Sequence, residues 1–178
     1  MTTGSPSCTL PVFRPGTGLP GTSRPSRLPS SIAASTAGRG VLLVQLAPAH
    51  ARDDARLAYF LQALPEWVRV AVEFRHPSWQ HEDVFALLHA YGAAYCVMSG
   101  AHLPCVLRTT AGFAYVRMHG PDDDHLYGGS YTHDNLMWWA DRIREWEQLG
   151  KDVFVYFNND GEANAVRNAG TLRGMLGQ

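Results

Sequence analysis

The chain has 178 residues, a length typical of a single domain with a sizeable hydrophobic core. Its formal net charge is −1 and only 17% of its residues are charged, so the sequence offers no basic surface for nucleic acid or an anionic membrane. No apolar run approaches the roughly 20 residues that cross a bilayer. We therefore expect neither nucleic acid nor a membrane as a partner, and the sequence leaves the oligomeric state open.

The three cysteines, Cys8, Cys96 and Cys105, are odd in number and lack metal-ligand spacing. Cys96 lies in an apolar run, which is typical of a small buried hydrophobic residue. This cysteine usage favours a reducing, cytoplasmic compartment.

Residues 1–38 differ from the rest of the chain. Ser, Thr, Pro and Gly dominate this segment, acidic residues are absent, and no helical or strand periodicity is present. Such a composition buries too little apolar surface to offset the entropy of ordering, so we predict a disordered segment over 1–38. Its Arg- and Ser-rich composition also resembles an organelle transit peptide. The folded domain is predicted over 39–178.

The predicted domain begins with a strand, a helix and a second strand. The stretch "VLLVQLAP" (41–48) is a continuous apolar run of strand length, as in a strand covered on both faces. Apolar residues then recur at helical spacing over 57–64, and Asp53 and Asp54 suit the N-terminus of that helix. The second predicted strand is "VRVAVEF" (68–74).

The alternation continues to the end of the chain. Strands are predicted at "AAYCVMS", "GFAYVRMHG" and "KDVFVYFNND", and helices over 84–91, 136–146 and 162–176. In the last helix, Val166, Ala169 and Leu172 are expected on one side. The segment between the third and fourth strands is too irregular to assign. Strands that alternate with helices predict an α/β fold with a parallel sheet, in which ligands bind beyond the carboxyl ends of the strands.

Three of the predicted strands end in polar residues. Side chains alternate along a strand, so residues two positions apart share a face. The pairs that share a face at these ends are Glu73 with Arg75, Arg117 with His119, and Asn158 with Asp160. The residues His76 and Asn159 follow at the same ends, and Gln45 is a weaker addition from the first strand. We expect these side chains to point into one shared pocket.

Two interpretations of this pattern are open. The polar groups could form a buried network of ion pairs and hydrogen bonds that closes the sheet. They could instead form a functional site, which we favour because three strands repeat the pattern at the same end. Charges clustered in a low-dielectric mouth also tend to have shifted proton affinities, which suits acid–base chemistry.

Candidate roles follow from the chemistry of each side chain. The catalytic candidates are His119 for proton transfer, Glu73 as a general base or as a partner that orients the imidazole, and Asp160. The ligand-binding candidates are Arg75, His76, Arg117, Tyr127, Asn158 and Asn159, of which the arginines could hold a carboxylate or phosphate group. A divalent metal held by Glu73, His76, His119 and Asp160, for the cleavage of phosphodiesters, is a minority alternative, because arginines at the same depth would repel a cation. The cofactor, if any, is unknown.

The stretches "VLLVQLAP", "AVEFRHPSW", "FAYVRMHG", "LYGGSY" and "VYFNNDGEANAVRNA" resemble the YecE-like family, also called domain of unknown function 72, over about residues 40–176. The resemblance implies a partial (β/α) barrel of TIM type, with about five parallel strands and a polar cluster at their carboxyl ends. The positions that match the family's motifs are Glu73, Arg75, His76, Trp79, Arg117, His119, Gly120, Tyr127, Asn158, Asn159 and Asp160. The family carries no settled activity over to this chain.

The sequence departs from the family in two ways. Ser99 ends the third strand, where relatives usually carry an aspartate. The family's N-terminal strands, about three βα units, are missing, and the Ser/Pro-rich segment stands in their place. We expect a truncated gene, a frameshift or a misplaced start codon.

The leading functional hypothesis is a barrel that performs acid–base chemistry, such as hydrolysis, on a small polar or anionic ligand, impaired here by truncation. The alternatives are a non-catalytic small-molecule binding domain and a non-functional gene fragment.

Overall fold

A computed structural model describes residues 40–178 of the chain, and the predicted segment 1–38 lies outside them. The described part contains strands and helices in alternation. The strands are β1 (Val41–Leu46), β2 (Arg69–Phe74), β3 (Ala94–Ser99), β4 (Phe113–Met118) and β5 (Asp152–Phe157), and the helices are α1 (Asp54–Ala63), α2 (Glu82–Ala90), α3 (His133–Gln148) and α4 (Asn164–Leu176). Single 3₁₀ turns follow β2 at Pro77–Trp79 and β5 at Gly161–Ala163. The five predicted strands and four predicted helices are confirmed.

The strands form one parallel sheet in the order β1-β2-β3-β4-β5, so each strand pairs with its neighbours in sequence. This order places the carboxyl ends of all five strands at one edge of the sheet. The segment over 100–112, between β3 and β4, contains no helix. Its irregular composition therefore corresponds to an irregular connection.

The sheet is strongly curved. Arg69 begins β2 and Asp152 begins β5, and two further strands lie between them. Neighbouring strands are about 4.8 Å apart, so a flat sheet would hold β2 and β5 roughly 14 Å apart. The two side chains nevertheless form an ion pair, with 2.8 Å between Arg69 Nη1 and Asp152 Oδ2. The five parallel strands thus form a half-barrel with a concave inner face.

The helices cover the convex face and form the main core with it. In α3 the predicted apolar stripe is buried, including Trp139 and Ile143. These residues pack in one cluster with strand residues such as Val72, Val97 and Val116, which face outward from the half-barrel. Burying a large apolar side chain is worth about 1.5–3 kcal/mol, so this layer holds the helices on the sheet.

A smaller apolar cluster lines the concave face. It contains the residues Ala71, Ala94, Cys96, Met98, Ala111, Phe113 and Tyr115, which alternate along the strands with those of the main core. Cys96 has a free thiol and is fully buried, as its apolar surroundings in the sequence predicted. The middle of the concave face is therefore apolar, between the carboxyl edge and the Arg69–Asp152 pair at the opposite rim.

Local sequence signals explain where the helices begin. Asp53 caps α1, since its carboxylate accepts from the backbone N–H of Arg56 at 2.9 Å. Thr132 and Asn135 form a capping box at the start of α3, each side chain accepting from the other residue's backbone N–H. Within residues 40–178, no helix combines the length and apolar character needed to span a membrane.

One prediction about α4 is wrong. Val166 was expected on the packed side with Leu172, but it is exposed, while Leu172 is buried. The buried side of α4 instead includes Asn164, Ala165 and Asn168. Two buried asparagines make this side more polar than the sequence pattern suggested, because they hydrogen-bond neighbouring side chains and loops.

Candidate functional site

Polar side chains meet on the concave face at the carboxyl edge of the sheet. Gln45 on β1 lies beside Glu73 on β2 in the strand register, and Arg117 extends from β4 toward both of them. Arg117 is two residues beyond Tyr115, which lies in the inner apolar cluster, so the predicted alternation holds here. The polar cluster therefore begins directly above the apolar interior.

Glu73 lies at the centre of this cluster and is completely buried. Its Oε1 accepts from Arg75 Nε at 2.7 Å, and its Oε2 accepts from Arg117 Nη1 at 2.6 Å. The Nε2 of His119 lies 3.8 Å from Oε1. Burial alone would raise the pKa of Glu73, but interactions with His119, Arg117 and Arg75 outweigh it and lower the pKa to about 2. Glu73 is thus a fixed negative charge.

This pKa predicts how stability depends on pH. The folded-state pKa of Glu73, about 2, lies below its ordinary value of 4.5, so its ionised form stabilises the fold above about pH 4.5. That contribution should disappear as the pH falls from about 4.5 towards 2. Urea unfolding measured across this range should show a steeper loss for the native chain than for Glu73→Gln. Parallel curves for the two proteins would contradict the assignment.

His119 is also completely buried, at the end of β4. Its backbone N–H donates to the Ser99 carbonyl at 2.6 Å, which fixes the backbone position of the residue. Its ring packs edge to face against the Tyr127 ring, with centroids 5.3 Å apart. Neither ring nitrogen has a hydrogen-bond partner among the described residues. A buried polar atom without a hydrogen-bond partner typically costs about 1–3 kcal/mol, and such atoms are uncommon in folded proteins.

Tyr127 lies in the loop that follows β4 and hydrogen-bonds Arg75. Its hydroxyl accepts from Arg75 Nη2 at 3.1 Å. Burial would lower the pKa of Arg75, but the contacts with Tyr127 and Glu73 outweigh this effect and raise it. Gly120 has φ +109°, and a Cβ there would overlap the carbonyl oxygen of Gly128. The loop therefore packs against its own start, which places Tyr127 over the site.

The polar residues after β5 form no hydrogen bond or ion pair with Glu73, Arg75 or Arg117 in the described structure. Asn159 is buried, and its amide donates to the Gly129 carbonyl and to Asn168 Oδ1, both at 2.9 Å. Its own Oδ1 has no partner among residues 40–178. Asn158 is half-buried, with its backbone N–H donating to the Met118 carbonyl. Asp160 is exposed, and its carboxylate forms no ion pair with a described residue.

His76 is used locally. Its Nδ1 accepts from the backbone N–H of Ser78 at 3.2 Å and lies 2.8 Å from the Ser78 hydroxyl. It forms no hydrogen bond with Glu73 or the arginines in the described structure. The geometry thus brings together Glu73, Arg75, Arg117, His119 and Tyr127, whereas the contacts of His76, Asn158, Asn159 and Asp160 lie outside this group.

A hydrogen-bond network that no sequence pattern predicted lies behind His119. The Tyr131 hydroxyl is buried, accepts from the backbone N–H of Gly120 at 3.0 Å and lies 3.1 Å from Ser99 Oγ. Asn168 joins it by accepting from the Tyr131 backbone N–H at 3.2 Å. Burial raises the pKa of Tyr131 to about 12, against the opposing effect of its hydrogen bonds, so the phenol stays neutral. Ser99 thus forms a neutral hydrogen bond with Tyr131, at the position where we expected relatives to carry an aspartate.

The chemistry of the cluster suits an anion better than a cation. Both oxygens of Glu73 are engaged by guanidinium groups, and two arginines face one carboxylate. Among the described residues, no group of three or more His, Cys, Asp or Glu side chains is arranged to hold a metal ion.

This chain belongs to the family described as "Protein of unknown function DUF72", whose model matches residues 27–178. The match confirms the resemblance inferred from the sequence and begins upstream of residue 40. The chain is also similar to the UPF0759 protein YunF of Bacillus subtilis (strain 168), at 30% identity over 60% of this chain and 46% of that protein. The chain thus spans about half the length of this curated relative.

Solved structures of the same family share the fold. The DUF72 family protein TM1631 from Thermotoga maritima MSB8 superposes with a TM-score of 0.68 at 26% identity, covering 78% of this chain and 58% of that one. The DUF72 family protein EF0366 from Enterococcus faecalis V583 gives the same TM-score and coverage at 17% identity. The half-barrel therefore corresponds to a little over half of each of these chains.

Proposed function

We propose that the site at the carboxyl edge binds a small anion and performs acid–base chemistry on it, with His119 transferring the proton. The observation that carries this proposal is the pairing of surplus guanidinium charge with a buried imidazole whose ring nitrogens have no hydrogen-bond partner among the described residues. One carboxylate and two arginines sum to one positive charge, which favours an anionic ligand.

The arginines retain donors for such a ligand. Arg117 uses Nη1 for both Glu73 and Gln45, and within the described residues its Nε and Nη2 form no hydrogen bonds. Arg75 uses Nε and Nη2, which leaves Nη1. Both side chains are mostly buried, so an anion held here would be partly shielded from water, and charge-assisted hydrogen bonds are strong in such places.

Glu73 acts as a positioning residue in this proposal. A carboxylate with a pKa of about 2 is a poor base near neutral pH, so proton transfer falls to His119. Glu73 holds both guanidinium groups in place, and its Oε1 lies 3.8 Å from Nε2 of His119. In hydrolysis, His119 would take a proton from the attacking water and return it to the leaving oxygen.

Binding is tested with inorganic phosphate on the full chain. We expect Arg117→Lys to weaken phosphate binding about tenfold, because lysine keeps the charge beside Glu73 but loses the forked donors. Isothermal titration calorimetry measures the affinity, and urea unfolding shows whether the variant is folded. Arg56→Lys is the matched control, since Arg56 is exposed on α1. Equal affinity in the native chain and Arg117→Lys would refute the anion site.

Turnover separates the enzyme from a binding domain. With 4-nitrophenyl phosphate as the probe, His119→Ala should lower the rate of hydrolysis at least about 100-fold, while phosphate affinity changes by less than about threefold. The low pKa of Glu73 favours the second candidate, a non-catalytic anion-binding domain, because it removes one potential base. Phosphate binding without any hydrolysis that depends on His119 would support this candidate and reject the catalytic one.

A further inference from the structure

Aromatic side chains lie on the concave face next to the guanidinium groups. Tyr156 on β5 is the register partner of Arg117 on β4, so the two side chains are neighbours across the sheet. Tyr115 precedes Arg117 by two residues and shares its face. The proposed anion would therefore lie beside two aromatic rings, those of Tyr115 and Tyr156.

The two rings form a stacked pair in which one ring is buried and the other is partly exposed. The rings of Tyr115 and Tyr156 are stacked, with centroids 5.1 Å apart and planes inclined by 27°. Tyr115 is buried in the inner cluster, whereas Tyr156 remains 44% exposed. One face of the Tyr156 ring is thus packed against Tyr115, and its exposed area borders the position of Arg117.

The buried ring of this pair, Tyr115, carries no charge that would repel an anion. Burial, with a smaller contribution from Tyr156, raises the pKa of Tyr115 to about 12, so this phenol is neutral near pH 7. On the other side of the cluster, the Tyr127 ring contacts His119 and its hydroxyl bonds Arg75. Tyr127 is 42% exposed. The arginines consequently lie between two partly exposed aromatic rings.

We infer that the ligand of this site is an anion that carries a planar aromatic ring, with its acidic group on Arg75 and Arg117 and its ring stacked on Tyr156. This inference rests on the proposed function, because it specifies the ligand of the same site. Stacked aromatic pairs gain attraction beyond that of area burial alone, which selects a planar ring over a puckered one.

The test compares two carboxylates of equal charge and similar size, benzoate and cyclohexanecarboxylate. The native chain should bind benzoate about two- to tenfold more tightly, as expected for one stacked pair. Tyr156→Leu should reduce this ratio to about one, whereas Tyr156→Phe, which keeps the ring, should preserve it. Tyr59→Leu is the control, because Tyr59 is 75% exposed on α1. Affinities are measured by calorimetry or by chemical-shift titration.

The outcomes separate the two proposals. Binding of both carboxylates with equal affinity by the native chain would overturn the aromatic ligand and leave the anion site intact. A preference for benzoate that survives Tyr156→Leu would also overturn it, since the ring would then stack elsewhere. Failure of the native chain to bind phosphate or either carboxylate would overturn the anion site itself.

Discussion

Replacing Glu73 by glutamine is expected to lower the free energy of unfolding by about 3 kcal/mol at pH 7, because breaking a buried ion pair from one side leaves charges without a counter-ion. Glutamine matches the shape of the glutamate, but it cannot balance Arg75 and Arg117, which contact opposite carboxylate oxygens. Urea unfolding followed by circular dichroism measures the change, with an unchanged m value indicating that the folded state stays compact.

The matched control for this variant is Asp152→Asn. Asp152 also pairs with an arginine, Arg69, but its side chain is 71% exposed. Exposed ion pairs contribute about 0–1 kcal/mol, so this substitution should cost much less than Glu73→Gln. Equal losses in the two variants would show that burial of Glu73 does not set the strength of the cluster.

The variant Gly120→Ala should destabilise the protein by at least about 3 kcal/mol and should also displace the loop that carries Tyr127. An alanine at φ +109° is strained, and its Cβ overlaps the Gly128 carbonyl oxygen, a backbone atom that cannot rotate away. Unfolding by urea measures the loss of stability. The intrinsic fluorescence of the folded protein, together with phosphate affinity, reports whether the site is altered.

The helical glycine Gly170 provides the contrasting substitution. A Cβ there meets nothing within 4 Å beyond its own helical turns, and α4 continues through this position. Gly170→Ala should therefore raise the free energy of unfolding by about 0.5–1 kcal/mol, through the higher helix propensity of alanine. A loss of stability for this variant as large as that of Gly120→Ala would contradict the steric explanation.

Strand periodicity predicted the part of the site that lies on strands. Glu73 and Arg117 belong to β2 and β4, where alternation fixes the direction of each side chain. The expectation for Asn158 and Asp160 had no such basis, because β5 ends at Phe157. Asp160 has the helical backbone angles φ −73° and ψ −20°, and strand alternation no longer applies. Local sequence could not reveal that change of conformation.

Contacts between distant segments lay beyond the sequence patterns. Asn168 is buried because α4 packs beside the loop before α3, where it bonds Asn159 and the backbone of Tyr131. A helical pattern marks apolar residues as buried, so it favoured Val166 and passed over this asparagine. The role of Tyr131 likewise depends on Gly120 and Ser99, which approach it only in the folded chain.

The bridge between Arg69 and Asp152 lies at the end of the sheet opposite the site and is sensitive to salt. Because Asp152 is largely exposed, dissolved ions screen this attraction, with a Debye length of about 8 Å at physiological ionic strength. Added salt should therefore weaken this bridge, which as an exposed ion pair contributes only about 0–1 kcal/mol, and leave the curvature to strand pairing and helix packing. The opposite rim, where Arg117 on β4 bonds Gln45 on β1, should accordingly keep its geometry as salt is added.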